Sequence, residues 1–209
     1  MRTVCVTLTD RRYGKYTPHF DHAHKHFVER GLEVQWYYGI HAQRIGVNAV
    51  VTSAVIAPQD PDQTHSIGFM PAGCWLSHRS LWAALLLLPD DEFFVIEADA
   101  RFPEGWRSRF DAALRDVPTD WDMLYIGSCC TSGCRQHVRG EVYADARPQC
   151  THAYCVRQKA LLPLCELADE VGVVKPVDTM LVHDATARLR IYTVLPRIVD
   201  QYDTAVLPE

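Results

Sequence analysis

The sequence has no apolar run long enough to cross a membrane. Its longest, Leu81 to Leu88, falls far short of the ~20 residues a spanning helix needs. It has no excess of positive charge. With a formal net charge of −5 and a pI of about 6.0, no global field would hold a polyanion, and a nucleic-acid partner would need a local basic patch. The N-terminus, Met1-Arg2-Thr3-Val4-Cys5-Val6, lacks the charged region, apolar stretch and cleavage site of a signal peptide. Repeats, low-complexity blocks and linkers are also missing, so one domain over residues 1–209 is the economical expectation. A composition of 48% hydrophobic and 22% charged residues excludes disordered, collagen-like and coiled-coil classes. These absences together predict a soluble protein of a reducing, cytoplasmic compartment.

Cysteine is plentiful, with eight residues, yet no Cys-x-x-Cys pair occurs. Cys129, Cys130, Cys134 and Cys150 form the one cluster that invites a zinc reading. Adjacent Cys129 and Cys130 would tend to point to opposite faces of a strand, which weakens it. In a reducing compartment unpaired thiols are the expectation.

The hydrophobic pattern alternates between strand and helix. Val4 to Leu8 reads as a buried strand, Phe20 to Arg30 as a helix stopped by Gly31, and Val34 to Tyr38 as a second strand. Residues 58–68 are turn-rich and read as a mobile loop. Ala72 to Leu88 is a strong helix, and Phe93-Phe94-Val95-Ile96 a fully apolar strand. Trp106 to Val117 reads as a helix and Trp121 to Ile126 as a strand. The stretch Gly127 to Gln149 is irregular, suited to a flexible, acceptor-facing loop. His152 to Val156 is strand-like, Lys159 to Glu170 and Val177 to Ala187 are helical, and Arg190 to Leu195 is a last strand. This alternation predicts an α/β fold with a mixed, mostly parallel sheet flanked by helices.

The strand Phe93 to Ile96 ends in Glu97-Ala98-Asp99. Ligands of open α/β sheets bind at the carboxyl ends of strands. Two acids there can hold one hard divalent cation, and through it a diphosphate. The alternative is a pair of merely solvated acids.

Gly73-Cys74-Trp75-Leu76-Ser77-His78-Arg79-Ser80-Leu81-Trp82 resembles the Gly-Cys-x-x-Ser-His-x-x-x-Trp stretch of glycosyltransferase family 25, which includes lipooligosaccharide and collagen galactosyltransferases. Glu97-Ala98-Asp99-Ala100-Arg101-Phe102 stands where that family has Glu-Asp-Asp, an apolar residue, often Arg, and Phe. Trp121-Asp122-Met123-Leu124-Tyr125-Ile126-Gly127, Thr151-His152-Ala153-Tyr154 and Lys175-Pro176-Val177-Asp178 resemble three further family segments, in family order. Leu8-Thr9-Asp10-Arg11-Arg12 is a looser match to the family's opening turn. The departure is Ala98 in place of the middle acid, which leaves two carboxylates instead of three.

The resemblance implies a GT-A fold, a Rossmann-like sheet binding a nucleotide sugar. It implies a metal-dependent inverting transfer of a hexose, from a UDP-sugar, to an acceptor hydroxyl on a glycan. Glu97 and Asp99 would hold Mn2+ or Mg2+, and with Arg11, Ser77 and His78 would bind the donor. His152 and Tyr154 would face the acceptor. Asp178 would be the general base, with Asp122 or Asp203 next in line. Two other readings stand beside this one: a transferase acting on a modified nucleic-acid base, touched by the basic run Arg135, His137, Arg139 and Arg147, and a non-catalytic binding protein of the same fold. A zinc-binding interaction module built on Cys129 to Cys155 is a third class. His22 and His26 share a helix face and read as polar surface. Trp106 and Trp121 read as core rather than sugar platforms.

Overall fold

The computed structural model describes residues 1–7, 17–40, 69–131, 135–144 and 146–202. The elements, in chain order, are β1 (Arg2–Thr7), α1 (Thr17–Glu29), β2 (Gln35–Tyr38), α2 (Phe69–Leu85), β3 (Glu92–Glu97) and β4 (Ala100–Arg101). Then come α3 (Trp106–Asp116), β5 (Met123–Gly127), β6 (Gln136–Arg139), β7 (Val142–Ala144) and β8 (Ala153–Arg157). The chain closes with α4 (Gln158–Val171), α5 (Val177–His183), β9 (Ile191–Val194) and β10 (Asp200–Gln201). Among the described residues no helix is long and apolar enough to cross a membrane.

Eight strands form one sheet in the order β2-β1-β3-β8-β5-β9-β7-β6, and β4 pairs with β10 in a small second sheet. β1 runs parallel to β2 and β3, and β5 parallel to β9. β8 is inserted antiparallel between β3 and β5, and β7 antiparallel between β9 and β6. Strand direction therefore reverses only at β8 and β7, and the other six strands point one way.

The central strands are apolar along their buried stretches, Phe93–Ile96, Met123–Ile126 and Ala153–Val156, because both faces of the sheet are covered. Successive side chains divide between two cores. Val4, Val6, Phe93, Val95, Met123, Tyr125, Tyr154 and Val156 face α2, α4 and α5, where Trp75, Trp82, Leu161, Leu164 and Met180 meet them. Cys5, Phe94, Ile96, Leu124, Ile126 and Cys155 face α1 and α3, where Phe27, Trp106 and Phe110 pack. Burying a side chain such as Phe93 or Phe94 contributes about 1.5–3 kcal/mol. Gly31 ends the first helical segment with φ +68°, which suits glycine.

The described residues between Gly127 and Gln149 are more regular than their sequence suggests. They carry the β6–β7 hairpin, which β7 joins to β9. Beyond the sheet edge the chain continues as a ribbon: Cys129 N–H donates to the Gln149 carbonyl (3.1 Å), Gln149 N–H to the Cys130 carbonyl (2.9 Å), and Thr131 bridges Pro148. Cys129 and Cys150 are joined by a disulfide, their Cα atoms 5.7 Å apart. The expectation of unpaired thiols fails at this pair, because the ribbon sets the two residues side by side. Cys5, Cys74, Cys130, Cys155 and Cys165 are free. Cys134, Arg11, Arg12, Asp203 and the turn-rich stretch 58–68 lie outside the described residues.

Candidate active site

β3 delivers Glu97 to the sheet edge where β1, β2 and β5 also end. β8 runs the other way, so its start, not its end, reaches that edge. The Glu97 N–H donates to the His152 carbonyl (2.9 Å) and the Ala98 N–H to the Val6 carbonyl (3.1 Å), which fixes the loop over the edge.

The Glu97 side chain is 20% exposed, and its two oxygens differ. Oε1 lies 2.9 Å from His78 Nε2 and accepts from the Thr151 hydroxyl (2.6 Å). Behind it, His78 Nδ1 is 2.9 Å from the Tyr154 hydroxyl, which accepts from Trp82 Nε1 (2.9 Å). An indole N–H only donates. The Tyr154 oxygen therefore accepts it and gives its own proton to His78 Nδ1, leaving His78 Nε2–H to donate to Glu97. In this assignment every proton has an acceptor. Burial pushes the Glu97 carboxyl up, but the hydrogen bonds from His78 and Thr151 outweigh it and hold the group below its usual value. Oε2 takes no partner among the described residues.

Asp99 sits two residues on. Its Oδ2 accepts from Gln201 Nε2 (2.7 Å), and its carbonyl accepts the Tyr202 N–H (2.8 Å). Its Oδ1 is buried with no partner among the described residues. Burial, and then the charge of Glu97, push the Asp99 carboxyl up to about 7. Asp178, in the first turn of α5, accepts the Cys150 N–H at Oδ2 (2.9 Å) and the Thr179 N–H at Oδ1 (2.7 Å). Cys150 makes that contact from φ +70°, a conformation a side-chain-bearing residue rarely adopts. The three acids share one neighbourhood. The Cys74 thiol, 4.0 Å from Glu97 Oε1, is pushed up by burial and by Glu97, and further by Asp178 and Asp99.

The remaining residues singled out in the sequence lie elsewhere in the layers. Ser77 is buried, donating to the Gly73 carbonyl (2.6 Å) and accepting the Ile40 N–H (2.7 Å), so it ties α2 to the end of β2 and has no hydroxyl left for a donor. His78 and Tyr154 are buried behind Glu97. His152 is 1% exposed, with Nε2 donating to the Val199 carbonyl (3.1 Å). Asp122 lies at the opposite sheet edge, held by Lys159 (2.7 Å) and the Arg190 N–H (2.9 Å). Trp106 and Trp121 are core residues, and His26 is buried with Nε2 accepting the Phe102 N–H (2.9 Å). Sequence reasoning passed over Thr151 and Trp82, although both stand inside the segments it singled out. It had no signal at all for Gln201.

For a divalent cation the donor set fits. An orphaned, buried carboxylate oxygen on Asp99 and a free oxygen on Glu97 are hard ligands of the kind Mn2+ and Mg2+ take.

This sheet, with its acids at the carboxyl edge, has a GT-A-like fold. A solved glycosyltransferase involved in glycosylation of the major capsid of PBCV-1 has the same fold. It matches at TM-score 0.52 and 9% identity, over 97% of this chain and 92% of that one. No protein-family model matches the chain.

Within that class the chain is related to glycosyltransferase 25 family members. It is 29% identical over 108 residues to a "Glycosyltransferase 25 family member" of Anopheles gambiae, covering 49% of this chain and 18% of the relative. It is 29% identical over 72 residues to "Procollagen galactosyltransferase 2" of Mus musculus, covering 33% and 12%. A 33% identical match over 72 residues, covering the same shares, is the mouse "Inactive glycosyltransferase 25 family member 3". The chain thus spans less than a fifth of these relatives' length.

Proposed function

We propose that this protein is an inverting glycosyltransferase that moves a hexose from a nucleotide sugar, a UDP-sugar in the first instance, to an acceptor hydroxyl on a glycan. The observation that carries this is the convergence of Glu97, Asp99 and Asp178 on one sheet edge around Cys74. Glu97 and Asp99 would hold Mn2+ or Mg2+. When bound, the ion would offset the negative charge of the departing nucleoside diphosphate. The chain's own residues do the rest. His78 and Thr151 fix Glu97 through Oε1, and so turn Oε2 toward the ligand side. Gln201 fixes Asp99. Asp178, oriented by two backbone N–H groups, takes the proton of the acceptor hydroxyl. The hydroxyl oxygen then attacks the anomeric carbon from the face opposite the diphosphate, and the bond from that carbon to the diphosphate oxygen breaks.

Asp99→Ala should lose manganese-dependent binding of a UDP-sugar while the protein stays folded. Asp178→Asn should keep donor binding and lose about 10²–10⁴-fold in transfer, the usual contribution of a positioned base. Near wild-type transfer by Asp178→Asn would overturn the assignment.

A second reading has one observation in its favour. Ala98 replaces an acid and packs against the apolar core beside α1 and α3, and relatives of this chain include proteins named inactive. Donor binding without turnover of any UDP-sugar, across a panel of acceptors, would favour that non-catalytic binding protein.

A further inference from the structure

The disulfide ribbon carries a set of groups that the acid site does not use. One ligand atom each from Cys129, Cys150 and His152 lies within 4.8 Å of the other two. His152 is 1% exposed, so its polar atoms have no access to bulk water. A carbonyl oxygen only accepts, so the 3.1 Å contact to Val199 makes Nε2 the protonated nitrogen. The lone pair is then on Nδ1, which is buried and has no partner among the described residues. An imidazole whose one N–H is held by a carbonyl while the other nitrogen offers its lone pair is the arrangement found in metal-ligating histidines. Space for the ring is built in at Gly127. A Cβ there would lie 2.8 Å from the Val199 carbonyl oxygen and would run into the His152 ring.

We infer that Cys129, Cys150 and His152 form a sulfur-and-imidazole site for zinc, or a similar borderline divalent ion, when the disulfide is reduced. A dithiol reductant supplies two electrons and two protons to the Cys129–Cys150 bond, giving two thiols and the oxidised reductant. Metal binding releases both thiol protons to solvent, and two thiolates and Nδ1 become the ligands. Thiolate and imidazole favour zinc over the hard ions suited to Glu97 and Asp99. The site stands apart from the proposed catalysis, but it is linked to the acids. The Cys150 N–H holds Asp178, and Gln201, whose Oε1 lies 3.5 Å from Cys129 Sγ, holds Asp99.

The test uses Co2+ as an optical probe on the full chain, reduced under nitrogen by a phosphine. Reduced wild type should bind one equivalent with a thiolate-to-cobalt charge-transfer band, and zinc should displace it. Oxidised protein should show no band. Cys129→Ser alters an exposed residue and should keep the fold, yet weaken cobalt binding at least tenfold, as should His152→Gln. Asp99→Ala should keep the band in full, which separates this site from the carboxylate one. Absence of the band in reduced wild type would overturn the proposal. So would a band of unchanged affinity in folded Cys129→Ser, since the ligands would then be other cysteines.

Discussion

Replacing Tyr154 by Phe tests whether the buried chain Trp82–Tyr154–His78–Glu97 is one unit. The substitution removes a single oxygen from a fully buried ring and leaves the packing volume nearly unchanged. It strips the acceptor from Trp82 Nε1, formerly at 2.9 Å, and the donor from His78 Nδ1, also at 2.9 Å. No water reaches either group, because Trp82 and His78 are at most 1% exposed. Each buried group left unsatisfied costs about 1–3 kcal/mol, so the pair should cost roughly 2–6 kcal/mol. For a domain of this length each kcal/mol lowers Tm by about 2–4 °C. Scanning calorimetry should therefore show a drop of about 4–24 °C. The second readout is coupling. Without Tyr154 the His78 ring is no longer held in the tautomer that donates to Glu97. Tyr154→Phe and Glu97→Gln should then be non-additive by more than about 0.5 kcal/mol in a double-mutant cycle, although their side chains meet only through His78. A Tm within about 1 °C of wild type, or additive effects, would refute the relay.

Two further outcomes follow from the acid loop and the sheet edge. Burial and Glu97 raise Asp99 from its ordinary 3.8 to about 7, so its contribution to stability is full below pH 4 and is lost as pH rises toward 7 and beyond. In metal-free protein Asp99→Asn should therefore gain in Tm over wild type between pH 4 and pH 8, and a difference that stays flat across that range would refute the assignment. Gly127→Ala places a methyl group against the Val199 carbonyl and the His152 ring, and should cost about 1–3 kcal/mol in urea unfolding, whereas an unchanged midpoint would show that the ring is free to move.

The fold was legible where both sheet faces are covered. Phe93 to Ile96 and Met123 to Ile126 are apolar throughout, and such runs announce buried strands without any need of alternation. The β6–β7 hairpin escaped because Gln136, His137, Val138 and Arg139 are all exposed, so no hydrophobic period marks it. β4 and β10 are two residues each and meet from about a hundred positions apart, a pairing that only tertiary structure can create. The acids at the end of β3 were read from the strand that delivers them. The layer to which each motif residue belongs was not. Ser77, His78 and Tyr154 lie in site-bearing segments, but helix and strand geometry turn them inward, Ser77 against the end of β2 and the other two behind Glu97. The disulfide was hidden for a related reason. Cys129 and Cys150 are separated by 21 positions, and only the ribbon beyond β5 and β8 sets them side by side.

The reversed direction of β8 has a consequence for how the molecule is made. Had β8 run with its neighbours, its far end would have met the acids. As built, its first residues do, so Glu97 finds Thr151 across 54 positions and His78 finds Tyr154 across 76. Such distant pairings close large loops before any contact rewards them, which places them late on the folding route. A nascent chain can form β1, α1, β2 and α2 from nearby residues, yet it has no ordered Glu97 until β8 has threaded between β3 and β5. The acid centre therefore forms late, once β8 lies beside β3 and Gln201 has reached Asp99.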